Sequence, residues 1–565
     1  MLVTGDVSGT WNGWKHWLLL GLVSIISGLG IWVGPASTGA TFDEPTYLDC
    51  GLKGWRERTH KPLMRLGTMP LPADLATLPL AVVEWGGWKK WNLKEDFPLA
   101  LRIARTSSLV FWCLLLVAVF GLCRTIAGET AAWITVLLVC VEPNFTGHAG
   151  LATTDVASTA SILLAWWAFL SGIGHGVARR LILPGAAFGF ALFTKASALA
   201  YVPILLLSSD VAAWMKSGRE RSWTSFRTWI RERSLLMGVG LATVFLLVGS
   251  DWGPEPTFVK WARGLPSGWF AETMIRASEN LRIFTNAGEG LAQQIKHNMR
   301  GHGAYLLGVE AYRAFVWYFP VLLLIKLTSA AILSLGLCLG MAAWKRDAFK
   351  SLHLLIAFLI LLAFSLNCRV QIGIRLVFPL LVMCYALCGS LLAQCWGSES
   401  KLLKSLVVIC LMGHAIESLC SFPNGLMFAN IPAKSLAQPD WLMADSNFDW
   451  GQGLLHAKHE ITNRRANLPI GLVYFGTDPL SQDLTLFRPE GPMGGGWDSP
   501  ESILKRYSGK TLLVGATVAR GAPLGAEYAN FRLAISQLPW QRVGCMHFIA
   551  FPDENPSNQG DLGRP

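Results

Sequence analysis

The stretch LILPGAAFGFALFTKASALAYVPILLL, residues 181–207, decides how this chain is folded. It is apolar and long enough to cross a bilayer once, yet Lys195 stands in its middle. Arg179 and Arg180 precede it, and a basic cluster of Lys216, Arg219, Arg221, Arg227, Arg231 and Arg233 follows. One continuous helix would place these two basic groups on opposite sides of the membrane. Two short helices broken near Thr194 and Lys195 place both inside, as the positive-inside rule requires. The broken pair is therefore the expected arrangement. A turn within a membrane is tolerated only where it is buried in protein or lines a wet cavity, and an intramembrane lysine needs an anionic partner. Lys195 is thus a site candidate. The alternative, a lysine snorkelling from one long helix, inverts the charge asymmetry downstream.

Outward from this stretch the same pattern repeats. The 565 residues are 52% hydrophobic and 15% charged, with mean hydropathy +0.40, so lipid is the expected solvent. Apolar runs at 17–33, 109–122, 131–141, 159–172, 181–193, 196–207, 235–249, 315–344, 352–366, 376–396 and 402–420 give about eleven spans. Several are shorter than the ~20 residues of a perpendicular helix, which calls for tilt, borrowed flanks or helices that stop inside the membrane. With Lys15 and His16 inside, the cytoplasmic loops hold Arg124, the two basic groups named above, then Lys345, Arg346 and Lys350, then Lys401 and Lys404. The first span reads as a retained anchor; a signal peptide cleaved among the small residues 36–40 would leave the later topology unchanged. The excess of 48 basic over 37 acidic residues sits largely in these short loops, which argues for topology and against nucleic acid. The twelve cysteines are scattered and form no paired CxxC, so they read as packing residues. No HExxH, Walker A or GxSxG motif is present, which argues against zinc peptidases, NTP-driven pumps and serine hydrolases.

The extracytoplasmic side then receives residues 34–108, 142–157, 251–314, 367–375 and everything after Ser421, and the interesting polar residues fall there. The first of these loops contains Thr41-Phe42-Asp43-Glu44-Pro45-Thr46-Tyr47, an acidic pair soon after a span. A carboxylate at the membrane surface suits a general base; the competing reading is an acidic helix N-terminus with Pro45 in its first turn. His60-Lys61-Pro62 follows, and Lys61 is a phosphate candidate. Arg102 and Arg105 open the second span, either as interface anchors or reaching inward. The loop Pro143-Asn144-Phe145-Thr146-Gly147-His148-Ala149-Gly150-Leu151-Ala152-Thr153-Thr154-Asp155 ends on a carboxylate that should face the same cavity as Asp43, although Thr154 and Asp155 also suit an ordinary cap. Its Asn144-Phe145-Thr146 is a glycosylation sequon of low specificity. Arg375, at the end of Gly373-Ile374-Arg375, is a cation on the wrong side of the membrane and close to hydrocarbon, which fits a lipid phosphate or a structural salt bridge. His302 precedes the aromatic belt Trp317-Tyr318-Phe319. Asp445-Ser446-Asn447-Phe448-Asp449 fails as a calcium loop, because glycine is displaced and His456 stands where glutamate belongs.

An acidic pair after the first span, a His-Lys-Pro element, a Thr-Thr-Asp loop, a Thr-Lys turn and a Gly-Ile-Arg element, in that order over residues 17–420, resemble the GT-C glycosyltransferases. Within them the resemblance is to the dolichyl-phosphate-mannose protein mannosyltransferase family and its bacterial relatives, including the aminoarabinose lipid A transferase. It implies an all-α polytopic membrane domain over 1–420 in the cell (inner) membrane, with a smaller extracytoplasmic α/β domain over 421–565. It implies Asp43 as catalytic carboxylate, with Glu44 beside it at the acceptor and Asp155 as the acidic position of the second outer loop. Lys61, Arg105, Lys195 and Arg375 then line a lipid-phosphate site, with His60, Tyr47, His148 and His302 as substrate-binding candidates. His60 departs from the acidic residue or proline common in relatives. The implied reaction is an inverting transfer of sugar from a polyprenyl phosphate to a protein, lipid or glycan acceptor, with no metal or other cofactor, although a divalent cation serves the oligosaccharyltransferase branch.

Beyond residue 421, strand-like runs at 470–475, 511–518 and 543–551 predict the α/β domain. Its Asn447-Phe448-Asp449-Trp450-Gly451-Gln452 string is a candidate for acceptor recognition or for plain packing, and the tail beyond Asp553 reads as a frayed end. A secondary transporter of an anionic or lipid-linked substrate is the rival reading, since broken helices and buried cations occur there too. Against it stand the polar residues gathered in outer loops and the lack of an internal repeat.

Overall fold

The computed structural model describes residues 14–34, 38–217, 223–282, 286–311, 313–344, 351–463, 468–491, 499–521 and 528–552. Arg219, Arg221, Lys345, Arg346 and Lys350 of the expected inner loops, part of the 36–40 region and the tail from Asp553 lie outside the described residues.

The chain opens with α1 (Trp14–Val33), followed by the short helices α2 (Glu44–Glu57), α3 (Lys61–Arg65) and α4 (Leu71–Trp85). Then come α5 (Phe97–Ala127), α6 (Glu129–Val141), α7 (Pro143–Ala149), α8 (Asp155–Gly172), α9 (Leu183–Thr194), α10 (Ala198–Ser217) and α11 (Trp223–Val248). The next loop folds as α12 (Pro256–Arg263), α13 (Trp269–Asn280), α14 (Ala287–Arg300) and a hairpin of β1 (Ala304–Leu306) and β2 (Val309–Ala311). Helices α15 (Tyr318–Lys326), α16 (Ser329–Trp344), α17 (Leu352–Ser365), α18 (Phe378–Trp396) and α19 (Lys401–Leu419) complete the apolar part.

Each of the eleven apolar runs is helical. Among the described residues, five helices are long and apolar enough to cross a bilayer alone: Trp14–Val33, Phe97–Ala127, Ala198–Lys216, Ile374–Trp396 and Lys401–Leu419. Helices α6 and α7 pass that test only as a pair bent by 63°, because Pro143 forces Glu142 out of helical geometry. The run 315–344 is likewise two helices, parted at Leu327 and Thr328. On α1, Leu18, Leu22, Ile25, Ile26 and Leu29 are each more than half exposed, an apolar outer face that only lipid solvates cheaply. This is a multi-pass membrane protein.

The 181–207 stretch is broken, and at Lys195. Helix α9 stops at Thr194, Lys195 is extended at φ −163°, and α10 starts at Ala198. The flanks return to the same end of the bundle: Arg180 pairs with Glu232 at 2.9 Å and Arg233 with Asp210 at 2.6 Å. Small residues let the inner helices touch. A Cβ on Gly389 of α18 would lie 2.1 Å from Thr135 Oγ1 on α6, and one on Gly189 of α9 would lie 2.5 Å from the Gly240 carbonyl on α11.

After α19 the chain forms α20 (Ile431–Leu436), α21 (Pro439–Leu442) and α22 (Leu454–Asn463) before the strands β3 (Ile470–Val473) and β4 (Phe487–Pro489). Helix α23 (Pro500–Arg506), β5 (Thr511–Gly515), α24 (Ala516–Arg520), α25 (Ala529–Ile535), β6 (Trp540–Val543) and β7 (Met546–Ala550) follow. The sheet order is β4-β3-β5-β7-β6, with β3 parallel to both neighbours and β7 antiparallel to both of its own. Strand alternation divides the burial. Leu472, Leu513 and Phe548 join a core continuous with the helical bundle through Met443, Phe448 and Leu454, while Val473, Leu512, Val514 and Ile549 pack against Ile503, Phe531 and Ile535 on the other side. The segment between α19 and β3 therefore packs on the helices rather than joining the sheet. Lys326, fully buried, donates to the carbonyls of Leu426 at 2.8 Å and Asn447 at 2.6 Å and fastens the two parts together.

Candidate active site

Three short segments set the site. The first is the start of α2. Glu44 there is wholly buried, and both its carboxylate oxygens accept from Arg105 of α5, at 2.8 and 2.7 Å. The amides of Thr41 and Ala152 add 2.9 Å bonds. Burial by itself would raise this carboxyl; Arg105 and the two amides outweigh it and hold it below the usual range. With Glu44 turned inward to the protein, its neighbour Asp43 is left facing a cavity of 1280 Å³.

The second segment is the Lys195 break. With α9 ended, the lysine ammonium reaches Asp155 Oδ1 at the first residue of α8, at 2.5 Å. The third is the single 3₁₀ turn Ile374–Val377, which carries Arg375. Its Nη1 lies 3.3 Å from Asp43 Oδ2 and 3.3 Å from Asp155 Oδ2. The arginine is held from behind by the segment that follows α21: Nε donates to Ser446 Oγ at 3.0 Å, and the guanidinium stacks 3.9 Å from the Trp450 ring. Asn447 Oδ1 accepts from the Ile374 amide at 2.9 Å.

Asp43, Tyr47, Asp155, Lys195, His302 and Arg375 all line this one cavity. Asp155 and Arg375 are buried, whereas Asp43 keeps a quarter of its side chain accessible. Burial lifts the Asp43 carboxyl above the ordinary carboxylate range, Arg375 opposes that shift, and Asp155 adds to it. Six cations (Arg65, Lys195, Lys296, Arg300, Arg369, Arg375) face three carboxylates (Asp43, Asp155, Asp445) around the cavity, so an anionic ligand is favoured. Among the described residues no three His, Cys, Asp or Glu side chains converge as metal donors.

Five expected site residues lie elsewhere. Glu44 and Arg105 satisfy one another inside the protein, since a glutamate in the first turn of α2 meets an arginine of the helix packed against it; neither lines the Asp43 cavity. Arg102 lies 4.9 Å above the Trp32 ring. Lys61 lies outside the cavity lining, its ammonium 4.0 Å from Asp251, because α3 turns it toward the α11–α12 loop. His60 sits 3.4 Å from Asp74 and edge-on to Phe193. His148 is buried against Phe378, with Nδ1 2.8 Å from the Asn144 carbonyl. Asn144 is buried as well, its amide donating to Glu142 and to the Lys326 carbonyl, which closes the sequon to modification.

Sequence reasoning gave no cavity role to Lys296, Arg300, Arg369 and Asp445, and offered Trp450 only within the 447–452 string, for acceptor recognition or packing. The first two carried a signal, an i,i+4 basic pair flanking His297 on α14. Asp445 carried none; it adopts φ 55°, a left-handed conformation that aspartate tolerates, with its amide donating to Thr517 Oγ1 at 2.9 Å.

Glu44→Gln tests the correction. Leaving Arg105 buried and half-paired should cost about 3–5 kcal/mol of stability, read as a lowered melting temperature in detergent, while turnover per folded molecule stays near wild type. A stable Glu44→Gln protein with lost turnover would return Glu44 to the chemistry.

A family model described as dolichyl-phosphate-mannose-protein mannosyltransferase matches residues 100–247, the part that carries Asp155 and Lys195. No curated protein matches the chain by sequence. Among solved structures, the oligosaccharyltransferase of Archaeoglobus fulgidus tethered to an acceptor peptide is 12% identical, covering 97% of this chain and 75% of that one at a TM-score of 0.50. The same organism's AglB in complex with an inhibitory peptide and a dolichol-phosphate gives 12% identity, 97% and 76% coverage, and 0.49. ArnT from Cupriavidus metallidurans bound to undecaprenyl phosphate gives 14% identity, 95% and 98% coverage, and 0.46. In fold, this chain is similar to the oligosaccharyltransferase of Archaeoglobus fulgidus.

Proposed function

We propose that the protein transfers a sugar from a polyprenyl-phosphate donor to an acceptor hydroxyl on the extracytoplasmic face of the membrane, by a single inverting displacement. The observation that carries this reading is the convergence of Asp43, Lys195 and Arg375, from three distant segments, on one cavity. The acceptor hydroxyl lies against Asp43, which takes its proton as the oxygen attacks the anomeric carbon. The bond from that carbon to the phosphate oxygen breaks, and the departing polyprenyl phosphate keeps the electron pair. Lys195 and Arg375 stabilise its negative charge, and Arg65, Lys296, Arg300 and Arg369 raise the potential for a doubly charged product. Asp155 is a positioning residue that fixes both cations. The apolar surface around the cavity's helices delivers both lipid-borne reactants in the membrane plane, which raises their effective concentration. The match over residues 100–247 and the likeness in fold support the assignment. In this reading the apolar runs beyond the five long helices cross the bilayer in tilted or paired form. The C-terminal sheet lies outside the membrane, and the acceptor is a protein, lipid or glycan.

The direct test incubates purified protein with radiolabelled polyprenyl-phosphate sugars and a membrane extract; absence of any labelled product across mannosyl, glucosyl and aminopentosyl donors sinks the proposal. Its pH dependence is a second check. Only ionised Asp43 accepts a proton, and its carboxyl is raised, so turnover should fall on acidification while the pH is still above the ordinary aspartate value of about 3.9. A pH–rate profile flat down to that value would remove Asp43 as the base.

A further inference from the structure

A second cleft, of 760 Å³, lies where the β1–β2 hairpin, α21, α24, α25 and β6 meet. Three aromatic rings line it, Tyr305, Trp441 and Trp540, together with Arg520, Arg532 and Glu310. Every one is fixed. Tyr305 donates its hydroxyl to the Trp441 carbonyl at 3.0 Å, and Trp540 donates its indole N–H to the Ile535 carbonyl at 2.9 Å. Arg520 pairs with Asp440 at 2.8 Å and stacks 4.5 Å from the Trp540 ring. Arg532 pairs with Glu310 at 2.9 Å. Trp441 rests on Gly308, where φ is +75° and a Cβ would come within 2.7 Å of the indole, so one face of the ring is supported while the side chain stays 41% exposed.

Two properties of this cleft select a ligand class. Its two arginines are each matched by a carboxylate, so the cleft has no net charge for an anionic polymer to seek. Yet Arg532 lines the cleft with Nη1 unpartnered among the described residues, and a donor left unpaired costs free energy that a ligand oxygen recovers once the guanidinium turns toward it. Held aromatic faces present negative π density, to which the weakly positive C–H faces of a pyranose are complementary, while planar charged groups beside them match ring hydroxyls.

We propose that this cleft is an oligosaccharide-binding site, with pyranose rings stacked on Trp441 and Trp540 and a sugar oxygen accepting from Arg532 Nη1. As to its role, and resting there on the transferase reading, it holds the part of a glycan acceptor that extends away from the reacting hydroxyl. The two sites are joined by short stretches of chain. His302, in the Asp43 cavity, is three residues from Tyr305, and Asp445, also in that cavity, is four residues from Trp441. Those chain lengths span at most about 11 Å and about 14 Å, the scale of two to three sugar rings.

The test uses the full chain in detergent without donor, and a panel of diazirine-tagged trisaccharides, namely neutral hexosyl, N-acetylhexosaminyl and uronate. At least one member should label peptides containing Trp441 or Trp540, be displaced by its untagged form, and lose labelling at least tenfold in both Trp441→Ala and Arg532→Gln with melting temperature preserved. No labelling by any member, labelling confined to other peptides, or labelling unchanged in both variants overturns the proposal. Since donor is absent, labelling without turnover would sink only the transferase reading, and turnover without labelling only the cleft.

Discussion

Asp43→Asn should abolish the proposed sugar transfer while the protein still folds and still binds the lipid phosphate. The amide is isosteric, it leaves Arg375 paired with Asp155 and Lys195 untouched, and it removes the only cavity carboxylate of the acidic pair. A positioned base contributes about 10²–10⁴ in rate, so turnover with saturating donor should fall by at least two orders of magnitude. Binding of inorganic phosphate or free polyprenyl phosphate should be unchanged or slightly tighter, because a negative charge 3.3 Å from Arg375 has gone. Turnover within threefold of wild type would disprove the role of Asp43, and equal loss of binding and turnover would make it a structural residue.

Arg375→Gln should be the more damaging variant, because it strikes stability and chemistry together. Asp155 is fully buried, and without the guanidinium only Lys195 compensates it. Breaking a buried pair by removing one partner costs about 3–5 kcal/mol, and losing one fixed donor to the developing phosphate charge costs about 10²–10³ in rate. The two effects separate in a cycle with Asp155→Asn. Neutralising the stranded carboxylate should recover melting temperature but not turnover. Arg375→Lys should recover little of either, since a lysine cannot reproduce the Nε bond to Ser446 or stack on Trp450. Full turnover in the double variant would detach Arg375 from the leaving group.

What was legible in the sequence follows from the strength of the local physics. Apolar runs are helical because a backbone in lipid has few other ways to satisfy its hydrogen bonds. The Lys195 break was legible because charge asymmetry on its two flanks favoured a break over one long helix with a snorkelling lysine, and Asp43 and Arg375 were legible as charges at helix ends near hydrocarbon. Glu44 was misplaced because adjacency says nothing about which way a side chain faces. In the first turn of α2, consecutive residues point about 100° apart, so one carboxylate of the pair meets Arg105 and the other the cavity. Lys61 and His60 were misplaced for a related reason: α3, only five residues long, turns Lys61 to the α11–α12 loop and its cap residue His60 to α4. The segment of Asp445 and Trp450 stood out in the sequence, but its place against Arg375 did not, since it reaches the site from the far end of the chain through a docking that no local pattern encodes.

That docking has a consequence for biosynthesis. Arg375 takes its final posture from Ser446 and Trp450, Phe42 beside Asp43 donates its amide to the Trp450 carbonyl at 2.8 Å, and Lys326 clasps the Asn447 carbonyl. A nascent polypeptide whose helices are already inserted but whose last quarter is still in the ribosome or translocon has the reactive groups without their bracing. Arg375 thus reaches its braced posture only after the segment around Ser446 and Trp450 has been made and has docked.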